Sequence, residues 1–179
     1  MIKQADKPSL LSQIFHYVFR SYNPFTSAGQ LNMPVRIVLY PTYGYYLNSE
    51  QFQALTSTLN DCGEQEFFIS EVEAEPDPFV TSYHWVCKSP SFSEYMNLSL
   101  STENALYSAN GLWGILVSHE DHALLVCQPN FARFFQAHYS HWKQDLEKFV
   151  QNWQQNEKEL GSDIRWLEEF LNHLSPPIE

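Results

Sequence analysis

Seven carboxylates stand within 17 residues at Asp61, Glu64, Glu66, Glu71, Glu73, Glu75 and Asp77, with no lysine or arginine among them. Residues 61–125 carry eleven acidic side chains against one lysine, so the middle third holds nearly all of the formal net charge of -11. Such a run has two uses. It can be a solvated edge that keeps other strands away, or a patch that meets a basic surface on a partner and speeds encounter in a salt-sensitive way. On a strand, side chains alternate between faces. Glu71, Glu73 and Glu75 would then share one exposed face with Ile69, opposite Phe68, Val72 and Ala74. Three like charges on one face repel and contribute nothing to folding.

Histidine offers a second chemistry. His119 and His122 flank Glu120 and Asp121 in a polar turn, and His138 and His141 stand three apart in a segment of helical pattern. Both spacings suit a metal, but neither is an HExxH motif, and no further ligand stands at zinc spacing beside the helical pair. The expectation is packed or surface histidines, with no metal, no cofactor and no catalytic residue. Cys62, Cys87 and Cys127 are odd in number and lack CxxC spacing, which suits reduced thiols in the cytosol. The chain has no GxSxG elbow, P-loop or GxGxxG, and Glu168 and Glu169 are adjacent and so diverge on a helix. The third set is aromatic: Tyr40, Tyr43, Tyr45 and Tyr46 flank Gly44, with Tyr83 and Trp85 further on. These rings serve a core, or anchor an interface with the polar tip left wet.

These groups need a scaffold, and composition supplies one. The 179 residues are 44% hydrophobic, 16% aromatic and 17% charged, which suits one domain over 1–179 with a core rich in ring packing. The acidic balance argues against nucleic-acid binding, which needs basic surface. Residues 9–19 are interrupted by Ser12, Gln13 and His16, so no signal peptide is expected. No stretch reaches the about 18 apolar residues of a membrane span.

Apolar spacing predicts a first helix from Ser9 to about Tyr22, ended by Asn23-Pro24. Val35–Tyr40 reads as a buried strand, and Asn48 with Gln51 as a capping-box start to a helix closed by Cys62-Gly63. Glu66–Ala74, Val80–Lys88 and, more weakly, Tyr95–Ser101 read as strands. Asn110-Gly111 is a turn before Leu112–Val117, which forms a hairpin with Ala123–Cys127. A long helix is predicted from Pro129-Asn130 through Trp153, broken at Gly161, and a last one from Ser162 to Pro176-Pro177. The order gives an α+β fold: a mainly antiparallel sheet with an N-terminal helix and two C-terminal helices packed on it.

The run Leu106-Tyr107-Ser108-Ala109-Asn110-Gly111-Leu112-Trp113-Gly114-Ile115, with Ser118-His119-Glu120, Ala123-Leu124-Leu125, Phe131 and Phe135, resembles a pattern of bacterial polymorphic-toxin immunity proteins. There a turn precedes a Trp-Gly-Ile-like strand, followed by a short acidic turn, an aliphatic strand and an aromatic helix. The resemblance covers roughly 30 residues. It implies a small cytoplasmic protein that binds and neutralises one cognate toxin, and it carries over no catalytic residue. The expected partner is a basic toxin domain whose cleft this chain occludes, through Asp61, Glu64, Glu66, Glu71, Glu73, Glu75, Asp77, Tyr83, Trp85, Glu120 and Asp121. Two other readings stand beside it: a small hydrolytic or metal-dependent enzyme using the histidines, and an adaptor or chaperone for an effector segment.

Overall fold

Residues 1–20, 32–73 and 77–174 are described by the computed structural model of the chain. Their strands are β1 (Ile2–Gln4), β2 (Val35–Leu39), β3 (Glu66–Glu71), β4 (His84–Lys88), β5 (Asn104–Ser108), β6 (Trp113–Val117) and β7 (Ala123–Cys127). They form one sheet in the order β1-β4-β3-β5-β6-β7-β2, antiparallel at every pairing. The helices are α1 (Pro8–Phe19), α2 (Ser49–Asp61), α3 (Pro78–Thr81), α4 (Phe92–Met96), α5 (Pro129–His138), α6 (Trp142–Leu160) and α7 (Arg165–Asn172). The fold is therefore α+β with an antiparallel sheet, as its residue pattern predicts.

Period-two alternation sends the side chains of the central strands to two buried layers. On one face, Ile37, Ile69, Leu106, Ile115 and Leu125 pack under Phe52 and Leu55 of α2, Tyr95 of α4 and Phe131 and Phe135 of α5. On the other, Val38, Phe68, Leu116 and Val126 pack under Phe15 and Phe19 of α1, Phe79 of α3, Phe149 of α6 and Phe170 of α7. Full burial of one such side chain is worth about 1.5–3 kcal/mol. The central strands thus read as unbroken apolar runs, because neither sheet face is left to water.

Local signals hold where they are strong. The Asn48 side chain accepts from Gln51 N while Gln51 reaches back to Asn48 N, both at 3.0 Å, so the capping box is formed. Gly111 takes φ +67° in the turn between β5 and β6, and β6 and β7 pair from Trp113↔Cys127 to Val117↔Ala123. Trp113 is fully buried and stacks on Phe131 at 5.2 Å and 17°.

Four expectations need correction. β1 and β5 have no counterpart in the sequence reading, and no strand forms at Tyr95–Ser101. Residues 80–83 are not strand: Asp77 caps Phe79 N at 3.0 Å with Pro78 at the first helical position, so α3 forms and β4 starts at His84. Residues 92–96 are helix, nucleated by the Ser91–Glu94 capping box. The long helix is two. Tyr139 is buried in the α2 layer and Phe149 in the opposite one, so the chain must pass around edge strand β2, and no straight helix serves both faces. The predicted helix end at Asn23-Pro24 and the stop at Pro176-Pro177 lie outside the described residues. Among the described residues no helix is long and apolar enough to cross a membrane.

Candidate protein-binding face

Strand direction sorts the acidic run. β3 begins at Glu66 and ends at Glu71, five steps or about 17 Å later at the usual rise per residue. Asp61, Glu64 and Glu66 therefore lie at one end of the sheet, and Glu71, Glu73 and Asp77 at the other.

At the first end each carboxylate already has work. Asp61 Oδ2 meets His138 Nε2 at 2.7 Å, and Glu66 Oε2 meets Lys88 Nζ at 3.0 Å. Glu64 Oε2 accepts from Ser108 Oγ at 3.0 Å and from Trp113 Nε1 at 3.1 Å.

At the second end, four chain segments converge. Glu71 is not exposed. It shares the parity of Ile69, but that face lies beneath the helical layer, and only 4% of Glu71 reaches solvent. Its Oε1 accepts from Ser101 N at 3.0 Å and Ser101 Oγ at 3.2 Å. Glu73 is exposed beyond the end of β3, where its Oε2 accepts from Glu103 N at 3.2 Å. Glu75 lies outside the described residues. The expected three-carboxylate strand face is thus overturned, because β3 has a covered face on both sides and stops at Glu71. Asp77 serves as the cap of α3.

Glu103 organises the β6–β7 turn. Its Oε1 accepts from Ser118 Oγ at 2.9 Å and pairs with His119 Nδ1 at 2.8 Å. Asp121 sits at φ +57°, a left-handed position that short polar residues tolerate. Its carbonyl accepts from Thr42 N at 2.9 Å, and its carboxylate from Gly44 N at 3.3 Å. This ties the acidic turn to a tight Tyr43–Tyr46 turn, closed by paired backbone bonds of 2.7 and 3.0 Å. Asn104 Nδ2 donates to Tyr45 O at 2.8 Å from the neighbouring strand. Tyr46 and Tyr95 are turned inward as hydrogen-bond partners of the backbone, whereas Tyr43 is 69% exposed. Tyr83, whose carbonyl accepts from Glu71 N at 3.1 Å, is 61% exposed beside a half-buried Trp85, the two rings 6.2 Å apart.

One end of the sheet therefore presents Glu73, Glu120, Asp121, Tyr43 and Tyr83 to solvent on a hydrogen-bonded frame. Residues 40–48, 71–73, 101–104 and 118–122 contain five acids and no lysine or arginine. Glu103 and Tyr43 were absent from the residues expected to bind a partner. Gly44 beside Tyr43 was a usable turn signal, whereas Glu103 acts on groups 15 and 16 residues away, which no local pattern reveals.

The histidine pairs do not act as pairs. His119 faces Glu103, while His122 is buried edge-on to Phe149 at 5.0 Å, with its basicity lowered by burial. His138 is the last residue of α5 and His141 precedes α6, so they do not share the continuous helix their spacing predicts. Among the described residues no group of three or more His, Cys, Asp or Glu is placed to hold a metal ion. Cys87 and Cys127 are buried, and burial pushes the Cys87 thiol up to about 12. No family model, curated relative or solved structure matches the chain.

Proposed function

We propose that this chain is a protein-binding inhibitor, a cytoplasmic immunity protein that neutralises a cognate toxin by covering its basic cleft. The observation that carries the reading is the acidic end face: Glu73, Glu120, Asp121 and Tyr43 stand exposed at one end of the sheet, on segments free of lysine and arginine. A cleft that holds phosphates must be basic, and a rigid acidic surface competes for the same cations. Tyr43 and Tyr83 supply ring area with wet hydroxyls, the chemistry of interface anchors. Asp61, Glu64, Glu66 and Glu71 drop out of this face, since each is engaged within the fold or lies at the far end.

The test begins with co-purification from the native source and identification of the captured protein. Association rates of that partner are then measured for wild type and for the Glu73→Gln/Glu120→Gln/Asp121→Asn variant, from about 10 mM to about 1 M salt. Over that range the screening length falls from about 30 Å to about 3 Å. The variant should associate about tenfold more slowly at low salt, with the difference vanishing at high salt. Equal rates at low salt would remove the face from the mechanism.

A further inference from the structure

The opposite charge gathers elsewhere. A cleft of about 600 Å³ opens between the start of α1 and the β1–β4–β3 edge of the sheet. Register explains its lining. Lys3 of β1 stands opposite Val86, which stands opposite Phe68 of β3, so all three project to the α1 face. Leu11 closes the floor from the helix, and Leu10 is left 45% exposed at the mouth. Lys88 and Glu66 lie two residues further along the same face, and Lys7 is the residue before α1.

Three of the ten basic residues of a chain with net charge -11 thus ring one apolar floor. Lys88 is committed to Glu66 at 3.0 Å. Among the described residues Lys3 and Lys7 enter no ion pair, although Asp6 also lines the cleft. An apolar floor with a few placed polar groups, at a volume between about 300 and 1,000 Å³, is the usual form of a small-molecule site. Free ammonium groups at its mouth select an anion.

We propose that this cleft binds a single-chain amphipathic carboxylate, a medium-chain fatty acid, with the tail on Phe68, Val86 and Leu11 and the carboxylate between Lys3 and Lys7. A concave floor suits one chain and not a bilayer surface. The site is independent of the acidic end face and of the proposed partner.

The test is calorimetric titration of the full chain with dodecanoate below its micellar concentration. Dodecyltrimethylammonium serves as the cationic control and anionic phospholipid vesicles as the membrane control. Saturable one-to-one binding of dodecanoate is expected, at least about tenfold tighter than that of the cationic amphiphile, with no cosedimentation on vesicles. Lys3→Gln/Lys7→Gln should weaken it at least about tenfold. Leu10→Glu, at an exposed position that leaves the core alone, should do the same by adding a like charge at the mouth. Circular dichroism verifies that both variants remain folded. No saturable heat, equal affinity for the two amphiphiles, binding to vesicles alone, or unchanged affinity in the folded variants would each overturn the proposal.

Discussion

The indole N–H of Trp113 donates to Glu64 Oε2 at 3.1 Å, joining residues 49 apart in the chain. The same oxygen accepts from Ser108 Oγ at 3.0 Å, so one carboxylate ties the approach to β3 to the end of β5 and the start of β6. A member of the acidic run is therefore an internal acceptor of the sheet rather than part of its charged surface.

Unfolding free energies separate the two roles of Trp113. Trp113→Ala should cost about 3–5 kcal/mol, the range for large-to-small changes in a packed core. Trp113→Phe keeps a ring over Phe131 but removes the N–H from Glu64, and should cost about 1–3 kcal/mol. Urea titration of both variants checks this. A Trp113→Ala protein that unfolds at the wild-type midpoint would contradict the packing described.

Glu71 and Glu73 are two residues apart and should behave oppositely. Glu71→Ala strips the acceptor from Ser101 N and Oγ in a buried place and should destabilise by about 1–3 kcal/mol. Glu73→Ala is an exposed change and should shift stability by about 0.5 kcal/mol or less. Chemical denaturation of the two single variants gives the comparison, and equal costs would mean that Glu71 is not held as described.

Gly114 fills a place where a methyl group does not fit. A Cβ there would come within 2.4 Å of Phe19 Cζ and 2.7 Å of Val18 Cγ1, where α1 presses on β6. Gly114→Ala should therefore destabilise by about 1–3 kcal/mol through overpacking. Gly114→Ala combined with Phe19→Leu should recover part of that loss, because the second change removes the obstructing ring atom. Thermal melts of the single and double variants decide it.

Stability should fall on acidification from neutral pH. Burial lowers the basicity of His84 and His122 in the folded chain, against the partly compensating pull of Glu71 and Asp77 on the first and of Glu103 and Asp121 on the second. The unfolded chain binds those protons near pH 6.5, the folded chain only below it. Stability is thus full above about pH 6.5 and declines below it, by at most about 1.4 kcal/mol per pH unit for each histidine. Asp145 acts in the other direction on the acid side, because burial raises its carboxyl and protonation then favours the folded state. Urea midpoints between about pH 5 and 7.5 check the sign. His84→Phe, which keeps the stack on Phe79, should flatten the slope.

Local order was legible in the residues themselves. Asn48 with Gln51, Asn110 with Gly111, and the short unbroken apolar runs of β6 and β7 act through backbone dihedrals and local strand propensity, which neighbours a few positions away decide. The antiparallel α+β class followed from the order of those elements, and the burial of Trp113 from its place in the hairpin. Long-range placement did not follow. Glu71 has the parity of a surface strand, but whether that face meets water depends on α2 and α4 folding over it. Asp61 and Asp77 are near in sequence yet lie at opposite ends of the sheet, because β3 runs between them. Glu103 reaches His119, and Glu64 reaches Trp113, only through strand register. Pairing and layering bring together residues far apart in the chain, and those choices are made by the whole packed sheet. Only the tertiary structure could therefore divide the carboxylates into those that hold the fold and those that face a partner.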